Sequence, residues 1–103
     1  MELQKLFGKK EDNDGVAMKM FAVRDEKAQA FIEPLVFSQV GEAERWLMDL
    51  ARNERSTVSK HPEDFTLYQI GTFNTGTAAI VAMTPLRICS ANELVVKKES
   101  PSA

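Results

Sequence analysis

The chain has 103 residues, 44% hydrophobic and 27% charged, with a formal net charge of −2, a composition that fits one ordinary globular domain. It lacks the basic excess that attracts a whole protein to nucleic acid, which leaves room only for a local basic patch. The single cysteine, Cys89, rules out an internal disulfide and a thiolate metal cage and fits a reducing cytosol; no run approaches the roughly 20 apolar residues of a membrane span.

Residues 1–15 mix Lys5, Lys9 and Lys10 with Glu2, Glu11, Asp12 and Asp14 and lack the apolar centre of a secretion signal. They read as a leader outside the fold, with Leu3, Leu6 and Phe7 able to form one short amphipathic turn. A mobile tail is the ordinary reading of such a segment, and a partner-binding arm is the alternative. One domain is expected over residues 16–96, followed by a polar tail at 97–103.

Val16 to Arg24 is a strand, with Met18, Met20 and Ala22 on one face and Lys19, Phe21 and Val23 on the other. After the charged turn Arg24-Asp25-Glu26-Lys27, Ala28 to Phe37 returns as the second arm of a hairpin. Pro34 cannot donate to a ladder, so this strand is an edge or is bent there, and an edge beside apolar surface offers a dimer seam. Ser38 is the expected N-cap of a helix from about Gln39 to Asn53. Val40, Ala43, Trp46, Leu47, Leu50 and Ala51 share one face at helical spacing, while Glu42 and Glu44 near the start and Arg52 near the end suit the helix dipole.

A polar connector, Glu54 to Lys60, leads into the turn His61-Pro62-Glu63-Asp64. Phe65 to Phe73 is the third strand. Strict alternation there places Tyr68 and Phe73 on opposite faces. Asn74-Thr75-Gly76 is a hairpin turn, with Gly76 suited to a positive φ. Thr77 to Thr84 returns as a strand that Pro85 ends, and Leu86 to Val96 is apolar enough for a short packed segment. The expected fold is α+β: two β-hairpins in an antiparallel sheet or a small partly open barrel, with one amphipathic helix packed on it.

Catalytic chemistry has little to work with. His61 is the only histidine, and in a turn its ordinary role is local hydrogen bonding. Cys89, in an apolar stretch, reads as a buried core thiol. Glu63 and Asp64, with Glu33 or Asp25, could bind a divalent cation, but adjacent carboxylates are common in turns. The glycines lie too far apart to cradle a phosphate. No catalytic residue, metal site or cofactor is assigned. The segment from Arg52 to His61 is more informative. Arg52, Arg55 and Lys60 stand against Glu54, with small polar donors between them that suit phosphate oxygens. The alternative is a solvated connector at a helix C-terminus. Tyr68 is a stacking candidate on the strand that follows.

Three ordered blocks carry a resemblance. Met18-Lys19-Met20-Phe21-Ala22-Val23-Arg24-Asp25-Glu26-Lys27-Ala28, with Phe31 to Pro34, forms the first. Lys60-His61-Pro62-Glu63-Asp64-Phe65 followed by Tyr68-Gln69-Ile70-Gly71-Thr72-Phe73 forms the second. Thr84-Pro85-Leu86 with Ala91-Asn92-Glu93-Leu94 forms the third. Over residues 16–94 the chain resembles the small nonstructural protein of gokushoviruses, single-stranded DNA phages of the microvirus group (Microviridae). The leader is longer, and the strand after Gly76 richer in alanine, than that pattern.

The resemblance implies a nonenzymatic protein of the infected bacterium's cytoplasm, absent from the capsid and acting in the switch to single-stranded genome synthesis or packaging. The expected partner is single-stranded DNA, contacted by Arg52, Arg55 and Lys60, with Lys19, Arg24 and Lys27 and stacking on Tyr68. A homodimer or higher homo-oligomer is expected, with no membrane association. The alternative is an oligomeric adaptor that docks on a phage or host replication protein.

Overall fold

A computed structural model describes residues 15–99. The leader and most of the tail read from the sequence, including the turn at Leu3, Leu6 and Phe7, lie outside the described residues. In chain order the elements are β1 (Ala17–Asp25), β2 (Ala30–Phe37), α1 (Val40–Arg52), α2 (Thr57–Lys60), a 3-10 turn (Pro62–Asp64), β3 (Phe65–Asn74), β4 (Ile80–Ser90) and α3 (Ala91–Glu99). The four strands form one open antiparallel sheet in the order β2-β1-β3-β4. This is the two-hairpin α+β fold, as a sheet rather than a barrel.

The helices cover one face. Phe21 and Val23 of β1, Phe65 and Leu67 of β3 and Cys89 of β4 join Ala43, Leu47 and Ala51 of α1, Val58 of α2 and Ala91 of α3 in a single buried cluster. Phe37 and Trp46 pack at its edge, with ring centroids 6.3 Å apart. Leu47 is fully buried at 0% exposure. The α1 stripe therefore finds the cover its spacing required, and the thiol of Cys89 sits in the core.

The starts of α1 and α3 use a carboxylate. The Glu42 carboxylate accepts from the backbone N–H groups of Ser38 and Gln39 at 3.0 and 3.2 Å and from the Ser38 hydroxyl at 2.8 Å. Gln39, rather than Ser38, is the residue at the N-cap position. These donors, the Ser38 hydroxyl first, hold the Glu42 carboxyl below its ordinary value near 4.5. At α3, Ser90 Oγ accepts from the Glu93 N–H, and Glu93 Oε1 accepts from the Ser90 N–H, both at 3.0 Å, a reciprocal capping box.

Two sequence expectations are corrected here. Pro85 does not end the fourth strand, because β4 is an edge strand and irregular between Ala82 and Leu86, where a residue without an N–H is tolerated. The segment from Leu86 to Val96 accordingly divides into strand and helix at the Ser90 cap, and α2 and α3 join the single helix that was read. The positive φ of the β3–β4 turn falls on Ala78, at 66°, rather than on Gly76. The Asn74 side-chain oxygen accepts from the N–H groups of Gly76 and Thr77 at 2.7 and 3.0 Å and closes the turn. Pro34 does lie on an edge strand, beside a bulge in which Glu33 takes a φ of 55°.

Candidate nucleic-acid interface

The sheet face opposite the helices is built by β1. Its even-numbered residues Met18, Met20, Ala22 and Arg24 pair with Phe73, Gly71, Tyr68 and Thr66 of β3. Alternation on β1 therefore puts Phe73 and Tyr68 on the same face, contrary to the strict alternation read from β3. The reason is a bulge: Ile70 is the extra residue where the β1–β3 register shifts, and it reverses the phase of the rest of the strand.

Four side chains gather on this open face. Arg24 pairs with Phe31 of β2, and Tyr68 pairs with Arg87 of β4. Phe31 and Tyr68 meet edge to face, with centroids 5.3 Å apart and planes at 76°. The Arg24 guanidinium lies 5.5 Å from the centroid of Phe31, within cation–π range. Phe31 is 41% exposed, which leaves part of its ring open to solvent.

Each arginine also has an acidic neighbour. Arg24 Nε donates to Glu26 at 2.9 Å and Arg87 Nη2 donates to Glu93 at 3.0 Å. The bond to Arg87, helped by the Ser90 N–H, lowers the Glu93 carboxyl below its ordinary range, and the same bond raises Arg87. The face is therefore close to charge-balanced at rest. Exposed ion pairs of this kind contribute little to stability.

The cations named from the sequence do not form one groove. Arg24 and Tyr68 are on the open face. Lys19 is half-buried on the helix side, between Phe37 and Thr72. Arg52 ends α1 and Lys60 ends α2. Arg55 lines a cavity of about 350 Å³ on the helix side with Val23, Ile32, Trp46 and Phe65. These three exposed cations form no ion pair among the described residues. Lys27 lies in the β1–β2 turn beside a second cavity, with Asp25, His61, Glu63 and Asp64. There the ligand atoms of His61, Glu63 and Asp64 lie within 4.8 Å of one another, while Glu33 lines the other cavity. The neighbouring Lys27 ammonium works against a cation at that spot.

Phe31 and Arg87 of the cluster, and the glutamates Glu26 and Glu93 paired with its arginines, are the residues that sequence reasoning did not single out as a site. The box Ser90-Ala91-Asn92-Glu93 was a legible signal for α3 and for Glu93. Arg87 was hidden because its face depends on irregularities on either side, after Ala82 and at Ile88. No helix of the described residues is long and apolar enough to cross a membrane.

No match is found among the curated proteins or the solved structures. A family profile, described as Phage ORF5 protein, matches residues 18–94. That span begins in β1, takes in all four members of the open-face cluster and ends in α3, so the chain belongs to the Phage ORF5 protein family.

Proposed function

We propose that this phage protein is a nonenzymatic accessory factor of the gokushovirus type that binds single-stranded DNA in the host cytoplasm. It would act during the switch to single-stranded genome synthesis or packaging. The observation that supports this reading is the open-face cluster, in which the rings of Phe31 and Tyr68 meet edge to face, the Arg24 guanidinium lies within reach of Phe31, and Arg87 is the cross-strand neighbour of Tyr68. Unpaired bases stack on aromatic side chains whatever their sequence, while the arginines meet the phosphates. The bases of a duplex are already stacked and offer no face to such a platform. Phe73, on the same face, extends it along β3.

The test is titration of a labelled oligonucleotide at low and moderate salt. Tyr68→Ala is expected to lose about 1–3 kcal/mol of binding, roughly 5- to 150-fold. Arg55→Ala, on the other side of the sheet, is expected to change affinity little. Affinity should fall with salt, with a log–log slope near −0.7 for each phosphate contact. Absence of binding at low salt, or binding indifferent to salt, overturns the reading.

The adaptor reading has one observation in its favour, the largely apolar cavity between β2, α1 and the connector that Val23, Ile32, Trp46, Leu50 and Val58 line. A pull-down from infected cells that recovers a replication protein, and is lost in Ile32→Glu, would favour it.

A further inference from the structure

We propose that the outer edge of β4, at Ile80–Thr84, pairs antiparallel with the same segment of a second copy of this chain. β4 is a terminal strand of the sheet, and among the described residues no strand pairs with its outer side. Its exposed backbone groups are a template for another strand. Ile80 is 64% exposed, Val81 61% and Leu86 52%. These side chains fall on both faces of the strand, since Ile80 pairs with Phe73 on the open face and Val81 with Thr72 on the helix side.

Natural edges are protected by charge, proline or a bulge. The β2 edge has all three at Glu33 and Pro34. From Ile70 to Leu86 the chain carries no charged residue, so nothing in Ile80–Thr84 repels an identical strand. Between Ala82 and Leu86 β4 leaves the β3 ladder, and Pro85, with no N–H to donate, ends the outer pairing.

A second copy is the occupant that fits best. Antiparallel pairing of a strand with itself is isologous, so every contact is made twice. In a register centred on Ala82, the small side chain lies at the two-fold axis, Val81 meets Met83 of the other copy, and Ile80 meets Thr84. The edge carries no charge that would favour a partner of different sequence over a second copy. The two-fold axis stands perpendicular to the sheet, so both open faces look the same way across eight strands. Two Arg24–Phe31–Tyr68–Arg87 clusters then lie on one surface, able to hold one strand at two points. That last consequence rests on the DNA-binding reading, whereas the pairing itself does not.

The experiment is light scattering behind size exclusion on the full chain, with circular dichroism as the folding control. The wild type should run at twice 11.5 kDa. Val81→Lys, a change at an exposed position, should keep the spectrum and raise the dimer dissociation constant about 100-fold or more. Ala82→Cys should form an intermolecular disulfide on mild oxidation, since paired residues across an antiparallel seam have Cα atoms only about 4.5–5.5 Å apart. A monomeric wild type overturns the pairing even if DNA is bound, and so does a dimer indifferent to Val81→Lys. A dimer that Val81→Lys breaks supports the pairing even if no DNA is bound, in which case the DNA reading alone fails.

Discussion

Gly71 and Gly41 give a pair of predictions of opposite sign from one chemical change, the addition of a methyl group. Gly71 sits on β3 opposite Ala82, where the β4 backbone passes close by. A Cβ there would run into the Val81 carbonyl oxygen and lie 3.3 Å from the Ala82 Cα. Backbone in a ladder cannot swing aside as a flexible side chain can. Gly71→Ala therefore pushes β4 outward, at an overpacking cost of about 1–3 kcal/mol. In a domain of this size each 1 kcal/mol lowers Tm by about 4–8 °C. Gly41 lies in the first turn of α1, and a Cβ there meets nothing within 4 Å. Gly41→Ala only narrows the unfolded ensemble, and up to about 1 kcal/mol of gain is expected. Urea denaturation followed by circular dichroism measures both. A Gly71→Ala protein as stable as wild type, or a Gly41→Ala protein destabilised like it, would refute the close-approach argument.

Leu47→Ala empties a fully buried site between α1 and the sheet and should cost about 2–5 kcal/mol, read as a lower urea midpoint with an unchanged slope. Glu42 contributes stability on the acid side. Its carboxyl is held low in the folded state, so the contribution is fully present above about 4.5 and is lost as pH falls through the lowered value; in Glu42→Gln that part of the pH dependence should disappear from melts between pH 7 and pH 3. Glu93→Gln keeps an oxygen acceptor for the Ser90 N–H but removes the charge beside Arg87. DNA affinity should rise by up to about fivefold, with a steeper dependence on salt, and an unchanged titration would show that the pair does not compete with phosphate.

Local chemistry was readable wherever neighbours along the chain decide the outcome. The α1 stripe, the edge character of Pro34, the burial of Cys89 and the two hairpins all follow from periodicity and residue type. The platform was only half readable. Arg24 and Tyr68 stood out as a cation and a ring, but Phe31 and Arg87 join them through pairings with strands distant in sequence. The basic connector was the stronger signal in one dimension, because Arg52, Arg55 and Lys60 are neighbours along the chain. In three dimensions it lies across the sheet from the aromatic rings.

By itself, the sequence determined an α+β chain of two hairpins with an amphipathic helix between them, because hydrophobic spacing and turn residues act over a few positions. Tertiary structure alone decided which side chains share a face. A bulge at Ile70 shifts the alternation by one residue, and with a period of two a shift of one exchanges the faces of the strand. That shift brings Phe73 round to the side of Tyr68, and no periodicity read from β3 alone contains it.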